Sequence, residues 1–158
     1  VMNIAAEKSG WGKKLEPNKG MGIAISAGYE SYCAQVAEVT VEKNQLKIDK
    51  YVAVIDCGVV INPDSVEAQL EGAIVFALSA ALKGEITINK GGVKESNFDD
   101  YPILTYDETP VIEAHYIKNA FKVGGVGEVG IAACAPALVN AIFAATGKRI
   151  RRLPINLS

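Results

Sequence analysis

Between Asn62 and Gly84 the chain carries a helix bounded at both ends by its own chemistry. Asn62 is a good N-cap, because its side-chain oxygen can accept from the open amides of a first helical turn. Pro63 suits the first helical position, where no amide hydrogen is needed, and Gly84 suits the left-handed step that ends a helix. The spacing predicts one helix over 63–83, and stretches of β-like alternation lie on both sides of it. Strands before and after a long helix predict an α+β domain: a mixed or antiparallel sheet with helices near 63–83 and 135–146 packed on it.

The strands are read from period two. Gly22 to Ser26 is short and apolar. From Tyr32 to Glu42, Cys33, Gln35, Ala37, Val39 and Val41 alternate with Ala34, Val36, Glu38 and Thr40. Leu46 to Ile55 follows after Lys43-Asn44, a hairpin turn. Glu85–Asn89, Gly92–Glu95 and Val111–Ile117 are further β-like pieces, with Lys90-Gly91-Gly92 as a turn. Val1 to Lys8 reads as the tail of a helix entering mid-pattern, with neither initiator Met nor signal peptide, so the chain is expected to be a piece of a longer polypeptide. Ser9 to Gly20 reads as a linker. Pro136–Thr146 reads as an apolar helix stopped by Gly147, and Arg151–Ile155 as a last short strand.

A chain of 158 residues is about one domain. With 49% hydrophobic and 22% charged residues it can bury a real core. A net charge of −2 argues against a general nucleic-acid binder, since the only basic cluster is the short one at 148–152. No uninterrupted apolar run approaches the length of about 18 residues that a membrane span needs. Cys33, Cys57 and Cys134 are far apart and flanked by apolar or small residues, which suits buried free thiols rather than disulfides or a zinc or iron–sulfur ligand set.

One carboxylate stands inside a run of glycines, Gly124-Gly125-Val126-Gly127-Glu128-Val129-Gly130. Glycines let backbone lie close to a ligand, because no Cβ intervenes, and a glutamate in such a loop stands where a general base is needed. Gly125, Gly127 and Gly130 also satisfy the Gly-x-Gly-x-x-Gly pattern of dinucleotide loops. That reading requires an acidic residue about 20 positions on, and no Asp or Glu follows Glu128. The remaining chain is also too short for a βαβ unit of about 30 residues.

Gln69 shares a helical face with Ala73, Phe76 and Ala80. An amide on an apolar face needs partners, which a neighbouring loop's backbone or a polar ligand could supply. His115 lies in an alternating strand without a partner of metal or triad spacing, and reads as structural or surface-exposed.

Together the motifs resemble a known family. Asp56-Cys57-Gly58, Ile61-Asn62-Pro63-Asp64, Ala68-Gln69-Leu70-Glu71-Gly72 and Ala80-Ala81-Leu82-Lys83-Gly84-Glu85-Ile86 come in its order. Ser96-Asn97-Phe98-Asp99-Asp100-Tyr101-Pro102, the glycine run through Glu128, Ala135-Pro136-Ala137-Leu138-Val139-Asn140-Ala141 and Phe143 to Arg151 complete the match. The chain looks like the C-terminal part of the molybdopterin-binding large subunit of the xanthine dehydrogenase and aldehyde oxidase family, nearest to the isoquinoline 1-oxidoreductase β-subunit type.

The resemblance implies a molybdenum hydroxylase acting on an aldehyde or an N-heterocycle, with Glu128 as the general base that takes a proton from the attacking hydroxide. It places Gln69, Gly125, Val126 and Gly127 against the cofactor, a molybdopterin in its cytosine dinucleotide form whose dithiolene holds the metal without a protein ligand. The remainder of the large subunit, and iron–sulfur clusters in a partner domain or subunit, are implied partners. The chain alone is then half a site, without activity of its own. Family members commonly have Pro after this Glu where Val129 stands, which bears on loop rigidity. The alternative is a non-catalytic scaffold or subunit-interaction domain.

Overall fold

The computed structural model describes residues 1–157. Its centre is a four-stranded sheet in the order β1-β2-β3-β6, formed by Lys19–Gly28, Ser31–Glu42, Gln45–Asp56 and Val111–Tyr116. The first three strands are antiparallel neighbours, and β6 runs parallel to β3, so the sheet is mixed. Helix α1 (Met2–Ser9) covers one face; α2 (Pro63–Leu82), α3 (Val129–Ala132) and α4 (Cys134–Thr146) cover the other. The α+β expectation holds.

Alternation decides which face each side chain enters. Cys33, Ala37, Val39 and Val41 of β2 join Tyr51, Ala53 and Ile55 of β3 beneath the three-helix face. Ala34, Val36 and Val54 pack on the other side with Ala5 of α1 and Met21. The turn at Lys43-Asn44 has both residues left-handed, φ 50° and 64°, the backbone of a tight two-residue hairpin loop.

Small residues bring α4 against the sheet. A Cβ built on Gly20 would come within 2.2 Å of Ala141 O, and one on Gly22 within 2.1 Å of Ala141 N. The helix therefore rests on backbone. Asn140, the polar exception on this helix, donates to Ile23 O at 3.2 Å, and the buried Tyr51 hydroxyl donates to Cys134 O at 3.0 Å.

Helix α2 begins as expected, with Asn62 Oδ1 accepting from Ser65 N at 3.3 Å. It ends at Leu82, and Gly84 is not in the left-handed region. The amides of Lys83 and Gly84 both return to Ser79 O at 3.0 Å, closing the helix without that step. Several other expectations need correction. Strand β1 is ten residues long, beginning at Lys19, because it pairs with β2 along its whole length. The pieces after α2 shrink to the hairpin β4 (Ile88–Asn89) and β5 (Gly92–Val93). The expected helix at 135–146 starts at Cys134 and is preceded by the short turn of α3. Arg151–Ile155 forms no strand, since it follows the end of α2, with Ile155 N donating to Ala81 O at 2.8 Å.

By length and composition, 63–82 and 129–146 are each apolar enough to cross a membrane. The uninterrupted-run criterion missed this because scattered polar residues break both runs. Both bury a face on the sheet, through Leu70, Ile74 and Leu78 in α2 and Ala137, Leu138 and Ala141 in α4, as core helices of a globular domain do.

Candidate active site at the glycine loop

The loop between β6 and α3 is held at the end of the sheet by the residues where β3 stops. Asp56 Oδ1 accepts from Gly58 N at 3.1 Å and from Asn119 Nδ2 at 2.5 Å. Asn119 Oδ1 in turn accepts from Phe121 N at 3.0 Å. Gly58 has φ 72°, and a Cβ there would lie 1.9 Å from Lys122 O, so the loop backbone passes directly over it. The Asp-Cys-Gly motif is thus a backbone clamp.

The glycines follow at similarly close range. Gly124 N donates to Cys57 O and Gly125 N to Tyr29 O, both at 2.8 Å. A Cβ on Gly124 would meet Ser31 Oγ at 2.3 Å, and one on Gly125 would meet Tyr29 Cβ at 2.9 Å. Further on, Ser26 Oγ donates to Val129 O at 2.7 Å, and the buried Gln35 amide donates to Gly130 O at 2.5 Å. Gly130 also lies against Leu70 and Ala73 of α2, where a Cβ would come within 3.3 and 3.1 Å.

Between these anchors the loop opens outward. Val126 is half-buried and packs its side chain against the core. A Cβ on Gly127 would meet nothing within 4 Å. Among the described residues, the amides of Val126 and Gly127 donate to no protein acceptor. Glu128 is exposed; its backbone carbonyl accepts from Ile131 N at 2.9 Å, and its side chain makes no capping bond to α3. The carboxylate accepts a hydrogen bond from the Tyr29 hydroxyl. That bond, more than the neighbouring charge, raises the pKa of the Tyr29 phenol above its ordinary value.

Gln69 is exposed on α2, one residue before Leu70 and one turn before Ala73. Its amide has no protein partner among the described residues, so the local backbone bond is not made. Phe76 on the same face is 69% exposed. The three thiols are buried and free; burial pushes Cys33 to about 11 and Cys134 to about 12. His115 sits in β6 with its Nε2 buried and unpartnered among the described residues.

Over residues 3–110 the chain matches the family described as the molybdopterin cofactor-binding domain. The chain belongs to this family. The beta subunit of isoquinoline 1-oxidoreductase from Brevundimonas diminuta is 35% identical over 161 residues, which covers 98% of this chain and 20% of that protein. A nicotinate dehydrogenase subunit of Pseudomonas putida is 33% identical over 175 residues, covering 98% of this chain and 15% of the relative. Quinoline 2-oxidoreductase from Pseudomonas putida 86 superposes with a TM-score of 0.71 at 25% identity, over 78% of this chain and 17% of that one. The family match ends before the glycine loop, whereas the two relatives align across it. The chain spans a fifth or less of these relatives' length. The likeness to molybdopterin oxidoreductases drawn from motif order therefore holds.

The residues at the loop fit a pterin-type group. Two open amides and a glycine with free space above it form a donor-rich, side-chain-poor surface, suited to a flat heterocycle rich in acceptors. Gln69 lies on α2 one turn before Ala73, which Gly130 meets.

Sequence reasoning singled out Glu128 and Gln69; it did not single out Tyr29, Ser26 or the Asp56–Asn119 pair, which reach the loop from distant positions. Gln35 carried the same signal as Gln69, an amide within an apolar alternation, and was readable on that ground.

Proposed function

We propose that this chain supplies the general base and part of the cofactor cradle of a molybdenum hydroxylase that oxidises an aldehyde or an N-heterocycle with oxygen from water. The observation that carries this reading is the exposed Glu128 carboxylate, set on a loop clamped on both sides and open at Gly127. The names of the relatives include both isoquinoline and nicotinate enzymes and an aldehyde dehydrogenase, so both substrate classes stay in the reading.

Bound molybdopterin, in its cytosine dinucleotide form, would supply the molybdenum that accepts two electrons from the substrate carbon. Glu128 accepts the proton released as the water-derived hydroxyl attacks. The amides of Val126 and Gly127, beside Gly125, and the Gln69 side chain hold the cofactor's acceptor atoms. The clamp at Asp56 and Gly58 keeps the base from drifting, and a misplacement of about 1 Å can cost about a hundredfold in rate. The relatives are about five or more times longer; the proposed enzyme would be completed by the remainder of a large subunit and by an iron–sulfur subunit.

The test is Glu128→Gln in the complete enzyme. General-base catalysis is worth about 10²–10⁴-fold, and turnover should fall by that factor while molybdenum content stays normal. Full rate with full metal would place the base elsewhere.

A further inference from the structure

The turn that joins β1 to β2 has a shape its residues do not favour. Tyr29 and Glu30 are both left-handed, with φ 54° and 59°, between the paired residues Gly28 and Ser31. Two-residue hairpin turns of this kind ordinarily carry Asn, Asp or Gly, and a bulky aromatic with positive φ is an outlier. Backbone held in such a state points to a role at that position.

The turn's polar groups converge on the glycine loop. Tyr29 O accepts from Gly125 N at 2.8 Å, and the Glu30 carboxylate pairs with Lys122 Nζ at 2.6 Å. Gly124 fits against Ser31 and Glu30 with no room for a side chain. The Tyr29 hydroxyl meets one oxygen of Glu128, Oε2, and among the described residues Oε1 has no partner. A carboxylate held through one oxygen has fewer orientations and keeps the other oxygen free to accept.

We infer that Tyr29 is the positioning residue of the base: its hydroxyl donates to Glu128 Oε2 and aims Oε1 at the proton to be removed. The inference rests on the general-base reading of Glu128 and adds the group that orients it. A donor on Oε2 leaves the proton-accepting oxygen free, as a base oriented by a third group requires. The left-handed turn carries the phenol from the hairpin tip across to the loop, which a smaller turn residue could not do.

In the complete enzyme, three variants separate the possibilities: Tyr29→Phe, Glu128→Gln and the double variant. Tyr29→Phe should lower kcat about tenfold, the worth of one hydrogen bond to a charged group, with KM and molybdenum content unchanged. The double variant should match Glu128→Gln alone, because a residue that acts through the base has no effect once the base is gone. Full kcat in Tyr29→Phe, a loss that multiplies with Glu128→Gln, or loss of molybdenum would each overturn the inference while leaving Glu128 as the base. Full activity in Glu128→Gln would instead overturn the parent reading. A readout independent of catalysis uses the complete enzyme labelled at tyrosine Cζ: the signal absent from Tyr29→Phe should move in Glu128→Ala, which removes the acceptor. If that signal does not move, the contact is absent and the inference fails.

Discussion

Asn119 donates its side-chain amide to the Asp56 carboxylate at 2.5 Å, joining the end of β3 to the loop that follows its parallel neighbour β6. The same carboxylate oxygen accepts from Gly58 N, so one acceptor shapes the turn after β3 and holds the segment that leads to Glu128. Sheet register thereby becomes loop position. The placement of Glu128 depends on a residue 72 positions earlier in the chain only because β3 and β6 lie side by side.

Asp56→Ala removes this acceptor and leaves Asn119 and Gly58 N unsatisfied at a half-buried site. The cost should be about 1–3 kcal/mol. Hydrogen exchange should quicken at 119–125 before it quickens in β2 or β3. Uniform destabilisation without that local change would mean that the pair does not hold the loop.

How much of this was legible follows from the range of each interaction. The Asn62 cap and the Gly147 stop are local, and both formed as read. Alternation assigned β2 correctly because each face meets a helix. Strand β1 was underestimated, because its glycines lower strand propensity and only pairing with β2 and contact with α4 explain them. Glu128 stood out through its glycines. Tyr29 did not, since nothing near Gly28-Tyr29-Glu30 announces a contact 99 positions away. Gln69 draws notice only if its helical face is buried; the helix buries Leu70 and Ile74 and leaves Gln69 and Phe76 outside.

Gly22 lies under α4 with Ala141 N 2.1 Å and Ala137 O 2.2 Å from where its Cβ would stand. Both are backbone atoms and cannot rotate away. Gly22→Val must lift the helix from the sheet, and should cost about 3 kcal/mol or more in urea unfolding. A well-folded Val variant of parental stability would show that α4 does not rest on β1 in this way.

Glu30→Gly relieves a left-handed glutamate at φ 59° and loses an ion pair to Lys122 whose side chains are well exposed. Exposed pairs are worth about 0–1 kcal/mol, and left-handed backbone costs a non-glycine residue about 1–2 kcal/mol. Part of that relief is returned as entropy in the unfolded glycine. The net expectation is a small gain, up to about 1 kcal/mol, read as a higher midpoint in denaturant. A clear loss would mean that the Lys122 contact outweighs the turn strain.

The last prediction concerns pH, at the far end of α2. Glu108 accepts from Lys83 Nζ at 2.7 and 2.5 Å, from Thr105 N at 2.8 Å and from Thr105 Oγ1 at 2.9 Å. The hydrogen bond from Lys83 is the largest cause, followed by those from Thr105, and together they lower its pKa from 4.5 to about 2. The folded value lies below the unfolded one, so the stabilisation is complete above about 4.5 and is lost as pH falls toward 2. Acidification through that window should release the turn at 105–108 from Lys83 while the sheet stays intact, visible as collapse of the Thr105 amide shift. In Glu108→Gln the same shift should be insensitive to pH across the window. A parent transition centred near 4.5 would show instead that the carboxylate titrates as if free, and that Lys83 does not hold it.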